Sequence, residues 1–216
     1  LSDKPALVIL HPDRDEVIPY ARLRTLCLGC AAHLTSLGLT PGDRILMRLD
    51  SGLAFPVLFL GAIAAGLVPV PTSAALTASE VTRLADRVQP RLIVATSGLA
   101  LPGSPAPVIA PDLARWEATP PLTPLQGDPH AEAYVIFTSG TSGRPMAVCH
   151  AHRAILARAA MHDGWEGLTP DDRLLHAGAM SWTYTLGTGL LDPWTLGATA
   201  LVPAPGTPPT ALPALL

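Results

Sequence analysis

The chain has 216 residues, of which 49% are hydrophobic and 14% charged, a balance that suits a globular protein with a sizeable core and excludes a disordered one. A net charge of -3 leaves no basic excess for a phosphate backbone, so no nucleic-acid partner is expected. Lysine occurs only at Lys4, so any chemistry needing a lysine deep in the chain must find it elsewhere.

There are 3 cysteines. Cys27 and Cys30 fall inside a helical apolar pattern and read as small buried side chains, because no further zinc ligands stand at suitable spacing. Cys149 has no partner in sequence, so no disulfide framework is expected, and a reducing, cytoplasmic location follows. No basic start precedes an apolar stretch at Leu1, so no leader is expected. The run from Leu53 to Pro71 is uncharged, but Pro56, Gly61, Gly66, Pro69 and Pro71 favour a buried helix, a turn and a short strand over a membrane span.

In chain order, Ala6 to Leu10 reads as an apolar strand and Tyr20 to Leu37 as an amphipathic helix, ended by Gly38. Thr40 to Asp43 is a turn and Arg44 to Leu49 a strand. A helix over Ala54 to Ala65 and a strand over Val68 to Val70 follow. A second helix starts from a cap at Thr77 or Ser79, runs to Val88 and leads to a strand at Arg91 to Ala95. Prolines crowd the stretch 101–129, which reads as a surface crossover with a short strand at Pro107 to Ile109 and a helical turn near Leu113 to Trp116. Beyond it come strands at Ala133 to Phe137 and Met146 to Cys149, then a helix over Ala151 to Met161. A strand at Leu174 to His176, a helical stretch from Tyr184 to Leu191 and a strand at Ala198 to Val202 complete the pattern. The alternation predicts an α/β fold with largely parallel sheets flanked by helices. The domain boundaries read as residues 1–129, including the crossover, and residues 130–216.

Between two of those strands lies Thr138-Ser139-Gly140-Thr141-Ser142-Gly143-Arg144-Pro145. Its glycines permit positive φ and close approach of a ligand. Successive backbone N–H groups can converge there on an anion, with the hydroxyls adding donors and Arg144 a charge. A Walker loop is disfavoured, since no lysine is present and a strand rather than a helix follows. A serine- and glycine-rich surface turn is the other reading that spacing alone allows.

Tyr134 to Pro145 resembles the phosphate-binding signature of the adenylate-forming superfamily, whose members include acyl-CoA synthetases, peptide-synthetase adenylation domains and firefly-type luciferases. The continuation Val148 to Arg153 is similar too. So are Ile18 to Leu23, Leu37 to Arg44, Phe59 to Ala62 and Gly66 to Val70, in the superfamily's order. Met180 to Gly187, followed by Asp192-Pro193-Trp194 and Gly197-Ala198-Thr199, resembles the acyl-binding segment of the acetate, medium-chain and aryl CoA ligases.

The resemblance implies that Thr138, Ser139, Gly140, Thr141, Ser142, Gly143 and Arg144 bind the phosphates of ATP, and that Trp182, Thr183 and Tyr184 line an acyl pocket. Trp182 and Tyr184 also suit ordinary core aromatics at a helix start. The implied reaction joins a carboxylic acid to ATP with Mg2+, giving an acyl-adenylate and pyrophosphate, and then transfers the acyl group to CoA. One departure is plain. The superfamily loop continues Pro-Lys-Gly, whereas this chain has Pro145-Met146-Ala147 and so lacks a point charge near the phosphates. The superfamily's elements for adenine, magnesium and ribose, and its carboxy-terminal lysine, all lie beyond the matched segment. The expectation is an amino-terminal part of an acyl- or aryl-CoA synthetase, without the carboxy-terminal domain and inactive alone. A non-catalytic nucleotide-binding or interaction module, a peptide-synthetase adenylation domain and an acyl-AMP ligase are the alternatives. No resident metal is expected: His150, His152 and His176 read as structural or capping groups. Apolar surface left uncovered by missing parts predicts dimerisation or poor solubility.

Overall fold

The alternation of strands and helices is present in the computed structural model, which describes residues 2–138 and 145–215. Among these the strands are β1 (Pro5–Leu10), β2 (Glu16–Pro19), β3 (Arg44–Arg48), β4 (Val68–Pro71), β5 (Leu92–Ala95), β6 (Val108–Ile109), β7 (Glu132–Thr138), β8 (Met146–Ala151), β9 (Arg173–Leu175) and β10 (Thr199–Pro203). The helices are α1 (Tyr20–Ser36), α2 (Ala54–Ala64), α3 (Ala78–Val88), α4 (Leu113–Ala118), α5 (Ala154–Ala159), α6 (His162–Trp165), α7 (Thr183–Leu186) and α8 (Asp192–Leu196). A π-helical turn spans Gly187–Leu191 and a 3-10 helix Pro209–Ala214. The chain divides into two units, one of Leu1–Arg24, Ser51–Leu53 and Arg153–Leu216, the other of Thr25–Asp50 and Ala54–His152.

The Thr25–Asp50 and Ala54–His152 unit is built on a parallel sheet of order β4-β3-β5-β6, with Ile45 opposite both Pro69 and Leu92. Parallel neighbours cannot be joined by a tight turn, so α2 returns the chain from β3 to β4 and α3 from β4 to β5. Helix α2 is apolar on nearly every side and buries Phe55, Val57, Leu58 and Phe59. Where it meets α1, a Cβ on Gly61 would stand 2.8 Å from the Cys27 carbonyl oxygen and 2.9 Å from the Cys30 Cβ. Both thiols are buried, and burial pushes that of Cys27 up to about 12. Helix α3 starts from a capping box: Thr77 accepts from the Glu80 N–H, and the Glu80 carboxylate accepts from the Thr77 N–H at 2.8 Å. Strands β7 and β8 form an antiparallel hairpin, with Val135 joining the core of Leu46, Val68, Val70, Val81 and Ile93.

The stretch 101–129 carries β6 and α4, and its side chains are exposed or half-buried save one. Trp116 of α4 is fully buried, and its carbonyl seats where α1 carries Gly29, at which any Cβ would lie 1.8 Å from the Trp116 oxygen. Leu122 N–H donates to the Leu28 carbonyl at 3.2 Å and Leu125 N–H to that of Ala64 at 2.9 Å. One buried tryptophan and two backbone hydrogen bonds therefore fasten this segment to α1 and α2.

In the other unit β1 pairs in parallel with β10, and β10 with β9, while β2 returns antiparallel along β1. Side chains reinforce the long-range pairing. Trp194 Nε1 donates to the Ala6 carbonyl at 2.7 Å, Thr199 Oγ1 to that of Pro5 at 2.8 Å, and the Tyr20 hydroxyl to that of Ala198 at 2.6 Å. The helix expected over Ala151 to Met161 starts only at Ala154, because Ala151 is held in the ladder opposite Glu132, and it is divided into α5 and α6. The helical stretch after Tyr184 widens into the π turn. Pro193 has no N–H to offer the Gly189 carbonyl and its ring crowds that position, which the wider turn relieves.

Arg48, at the end of β3, is wholly buried without a carboxylate. Its guanidinium donates to Ala100 O at 2.9 Å, Thr72 Oγ1 at 3.2 Å, Ala74 O and Leu76 O each at 3.3 Å, and to Ser73 O. All five N–H groups are thus matched by acceptors from the loops after β4 and β5, and burial lowers its pKa. Arg48→Met leaves those acceptors unpaired and is expected to destabilise the protein by about 3 kcal/mol or more. Urea unfolding measures this; a variant within 1 kcal/mol of the parent, an order-of-magnitude bound, contradicts it.

Candidate functional site

Each half of the sequence-derived site lies within a single unit. Thr138 is the last residue of β7 and is exposed, paired opposite Met146 of β8. Ser139, Gly140, Thr141, Ser142, Gly143 and Arg144 lie outside the described residues. The hairpin is made rigid by aromatic packing at its far end. His150 stacks on Tyr134 with centroids 4.5 Å apart, and Tyr134 meets the ring of Phe59 edge-on at 5.3 Å. At the same end Arg44 is paired with Glu132 at 3.1 Å. Met146, where the superfamily keeps lysine, is 56% exposed, so nothing about packing demands a thioether there.

The segment around Trp182, expected from its resemblance to border an acyl group, lies in the unit that contains β1 and β10. Trp182 occupies the cap position of α7 in an extended conformation, with Thr183 and Tyr184 opening the helix. All three are exposed, Trp182 at 67% and Tyr184 at 56%, so among the described residues they are not core aromatics. The helix continues through Thr185 and Leu186, which are buried, into the π turn. There Thr188 Oγ1 donates to the Tyr184 carbonyl at 2.8 Å. His176 meets the Tyr184 ring edge-on at 5.1 Å, and burial lowers its pKa, which favours neutral imidazole.

Under this segment is a charged cluster that the sequence did not reveal. Asp192 is 1% exposed and receives two hydrogen bonds from Arg158, one from Nε at 2.8 Å and one from Nη2. The guanidinium lies against Gly187, where a Cβ would stand 2.6 Å from Cζ. His162, also buried, brings Nε2 to 3.3 Å from Asp192 Oδ1 without hydrogen-bond geometry. Glu166 completes the cluster with Oε2 buried and unbonded; burial raises its pKa, aided by Asp192 and opposed by His162 and Arg158. The motif Asp192-Pro193-Trp194 was visible in sequence, but nothing there linked it to Arg158 on a separate helix. Among the described residues no group of three or more His, Cys, Asp or Glu is placed to hold a metal ion. No helix among them is long and apolar enough to cross a membrane.

A family model described as AMP-binding enzyme matches residues 1–216. The chain belongs to that family. Long-chain-fatty-acid–CoA ligase FadD13 of Mycobacterium tuberculosis is 30% identical over 191 residues, covering 77% of this chain and 36% of the relative. Benzoate–CoA ligase of Thauera aromatica is 28% identical over 207 residues, covering 85% of this chain and 38% of the relative. The chain therefore spans well under half the length of these curated relatives. Among solved structures, a benzoate CoA ligase from Burkholderia xenovorans LB400 superposes with a TM-score of 0.87 at 25% identity, covering 99% of this chain and 45% of that one. The β7–β8 hairpin and the α7 segment are thus parts of an AMP-binding enzyme fold.

Replacing Asp192 by Leu removes the carboxylate from the buried guanidinium and is expected to cost about 3 kcal/mol of stability. The double variant Arg158→Met with Asp192→Leu should recover part of that loss in urea unfolding; an equal or greater loss contradicts the pairing. The raised Glu166 pKa means that the native state holds a proton the unfolded chain has released. Its contribution is full below the ordinary glutamate value and is lost as pH rises through the native one. Glu166→Gln should flatten the fall in stability with pH above the ordinary glutamate value, and an unchanged slope rules this out.

Proposed function

We propose that this chain is the amino-terminal part of an AMP-forming carboxylate–CoA ligase. Carboxylate and Mg-ATP form an acyl-adenylate and pyrophosphate, and CoA then displaces AMP. In this reading Thr138, Ser139, Gly140, Thr141, Ser142, Gly143 and Arg144 hold the ATP phosphates, and Trp182, Thr183 and Tyr184 border the acyl group. The observation that carries it is the match of the whole chain to the AMP-binding family, with CoA ligases among its curated relatives. Two structural features support it. A rigid hairpin meets the loop at Thr138 and Met146, and the acyl-segment aromatics are exposed rather than packed away.

In-line attack at phosphorus requires the carboxylate and the α-phosphate to be held together and charge to be neutralised. Hydroxyls, N–H groups and Arg144 supply part of that charge. No lysine does so from this chain, since Lys4 donates to the Pro170 carbonyl. The 216-residue chain by itself is therefore expected to give no carboxylate-dependent ATP–pyrophosphate exchange, whereas the complete polypeptide carrying it gives exchange with an aryl or fatty acid. Absence of exchange in the complete polypeptide with every acid of an aryl and aliphatic panel overturns the proposal. Transfer to a carrier-protein thiol and not to CoA indicates a peptide-synthetase adenylation domain instead.

Met146→Lys restores the superfamily's charge at an exposed site and should lower the KM for ATP by about two- to fivefold. An unchanged or higher value contradicts the placement of the loop. Homodimer formation belongs to the same proposal, because Leu156 and Trp165 expose apolar surface. A monomer in light scattering at high concentration argues against it.

A further inference from the structure

We infer that His176 is a positioning residue that sets the shape of the acyl pocket by holding the ring of Tyr184, which rests on the reading that Trp182, Thr183 and Tyr184 border that pocket. Tyr184 is exposed over half its surface. The His176 imidazole meets it edge-on, with centroids 5.1 Å apart and planes inclined by 69°. That is the arrangement two aromatic rings favour, and it fixes the Tyr184 side chain in direction as well as distance.

His176 is itself held from two sides. Its Nδ1 accepts the Gly178 N–H at 3.3 Å, which closes the loop after β9 around the ring. On the same side a Cβ at Gly178 would stand 3.2 Å from the imidazole Cε1. On the other side the π turn presents Gly189, where a Cβ would stand 2.7 Å from the His176 Cβ. The His176 side chain thus lies close to two glycines: Gly178 after β9, whose missing Cβ leaves room first for Thr185 Oγ1 and then for the imidazole, and Gly189 in the turn that continues α7. With Nδ1 engaged as acceptor, the neutral ring carries its proton on Nε2. The position of the Tyr184 ring is therefore determined by a residue outside the acyl segment, and the acids admitted follow from that position.

The test uses the complete polypeptide carrying this chain and compares kcat and KM for benzoate, a longer aliphatic acid and ATP. His176→Leu keeps volume without a ring, His176→Phe keeps a ring without an acceptor, and His176→Asn keeps an acceptor without a ring. The Leu and Asn variants are expected to change the benzoate-to-aliphatic ratio of kcat/KM by about fivefold, through KM for the acid, while KM for ATP stays within about twofold. The Phe variant is expected to retain the parental ratio. Gly189→Ala, which displaces the imidazole, should follow the Leu variant. Parental selectivity in the Leu variant, or a Phe variant as altered as Leu, overturns the inference. Trp182→Ala and Tyr184→Ala run in parallel. If they too leave acid selectivity unchanged, the acyl-pocket reading falls and the inference with it. If they alter selectivity and His176→Leu does not, only the inference falls. Should His176→Leu not fold, as judged by thermal unfolding, the Phe and Asn variants decide by the same criteria.

Discussion

Parallel pairing imposes the constraint on which this structure depends. Each parallel neighbour must be reached by a crossover that carries the chain back across the sheet, and the strands so joined are covered on both faces. The short strands β3, β4 and β5 are accordingly near-continuous apolar runs rather than alternating ones. The same constraint sends the loops after β4 and β5 to one edge of their sheet, where Arg48 gathers their carbonyls. It also makes the close approaches at Gly29 and Gly61 necessary, since α1 must lie against both α2 and the segment that carries Trp116.

Buried charge is handled differently in the two units. Arg48 is matched by oxygen acceptors, so its donors are satisfied and its charge is spread over the dipoles of the loops it ties down. Arg158 is neutralised by a carboxylate, with a histidine and a second acid beside the pair. The first arrangement has no second group to titrate. The second does, and it lies directly behind the glycine that begins the π turn.

Apart from β2, a four-residue, half-exposed strand that carries no apolar run, the strands and helices from Pro5 to Ala95 were legible because apolar runs and helical spacing report burial directly, and Thr77 with Glu80 marks a helix start by local chemistry alone. What was not legible depends on residues far apart in sequence. The pairing of β1 with β10, the burial of Trp116, the acceptors around Arg48 and the partner of Asp192 all have this character. The late start of α5 was missed because the ladder that claims Ala151 involves Glu132 across the hairpin. The proposed site residues were named through ordered resemblance to a superfamily, which carries chemistry but not geometry. The ring of His176 against Tyr184 belongs to the geometry, and no spacing rule connects a residue after a strand to one opening a later helix.

The tie between Trp194 and Ala6 spans 188 residues and has a meaning for the living chain. During synthesis β1 leaves the ribosome long before β10 exists. At ordinary elongation rates the interval is on the order of 10–40 s. Throughout it a fully apolar strand destined for the interior of a sheet has only β2 for a neighbour, while the Thr25–Asp50 and Ala54–His152 unit already has its own strands at hand. The nascent protein therefore carries one unit whose described strands are made early, and in β1 and β2 a hairpin that must wait, exposed, for β10.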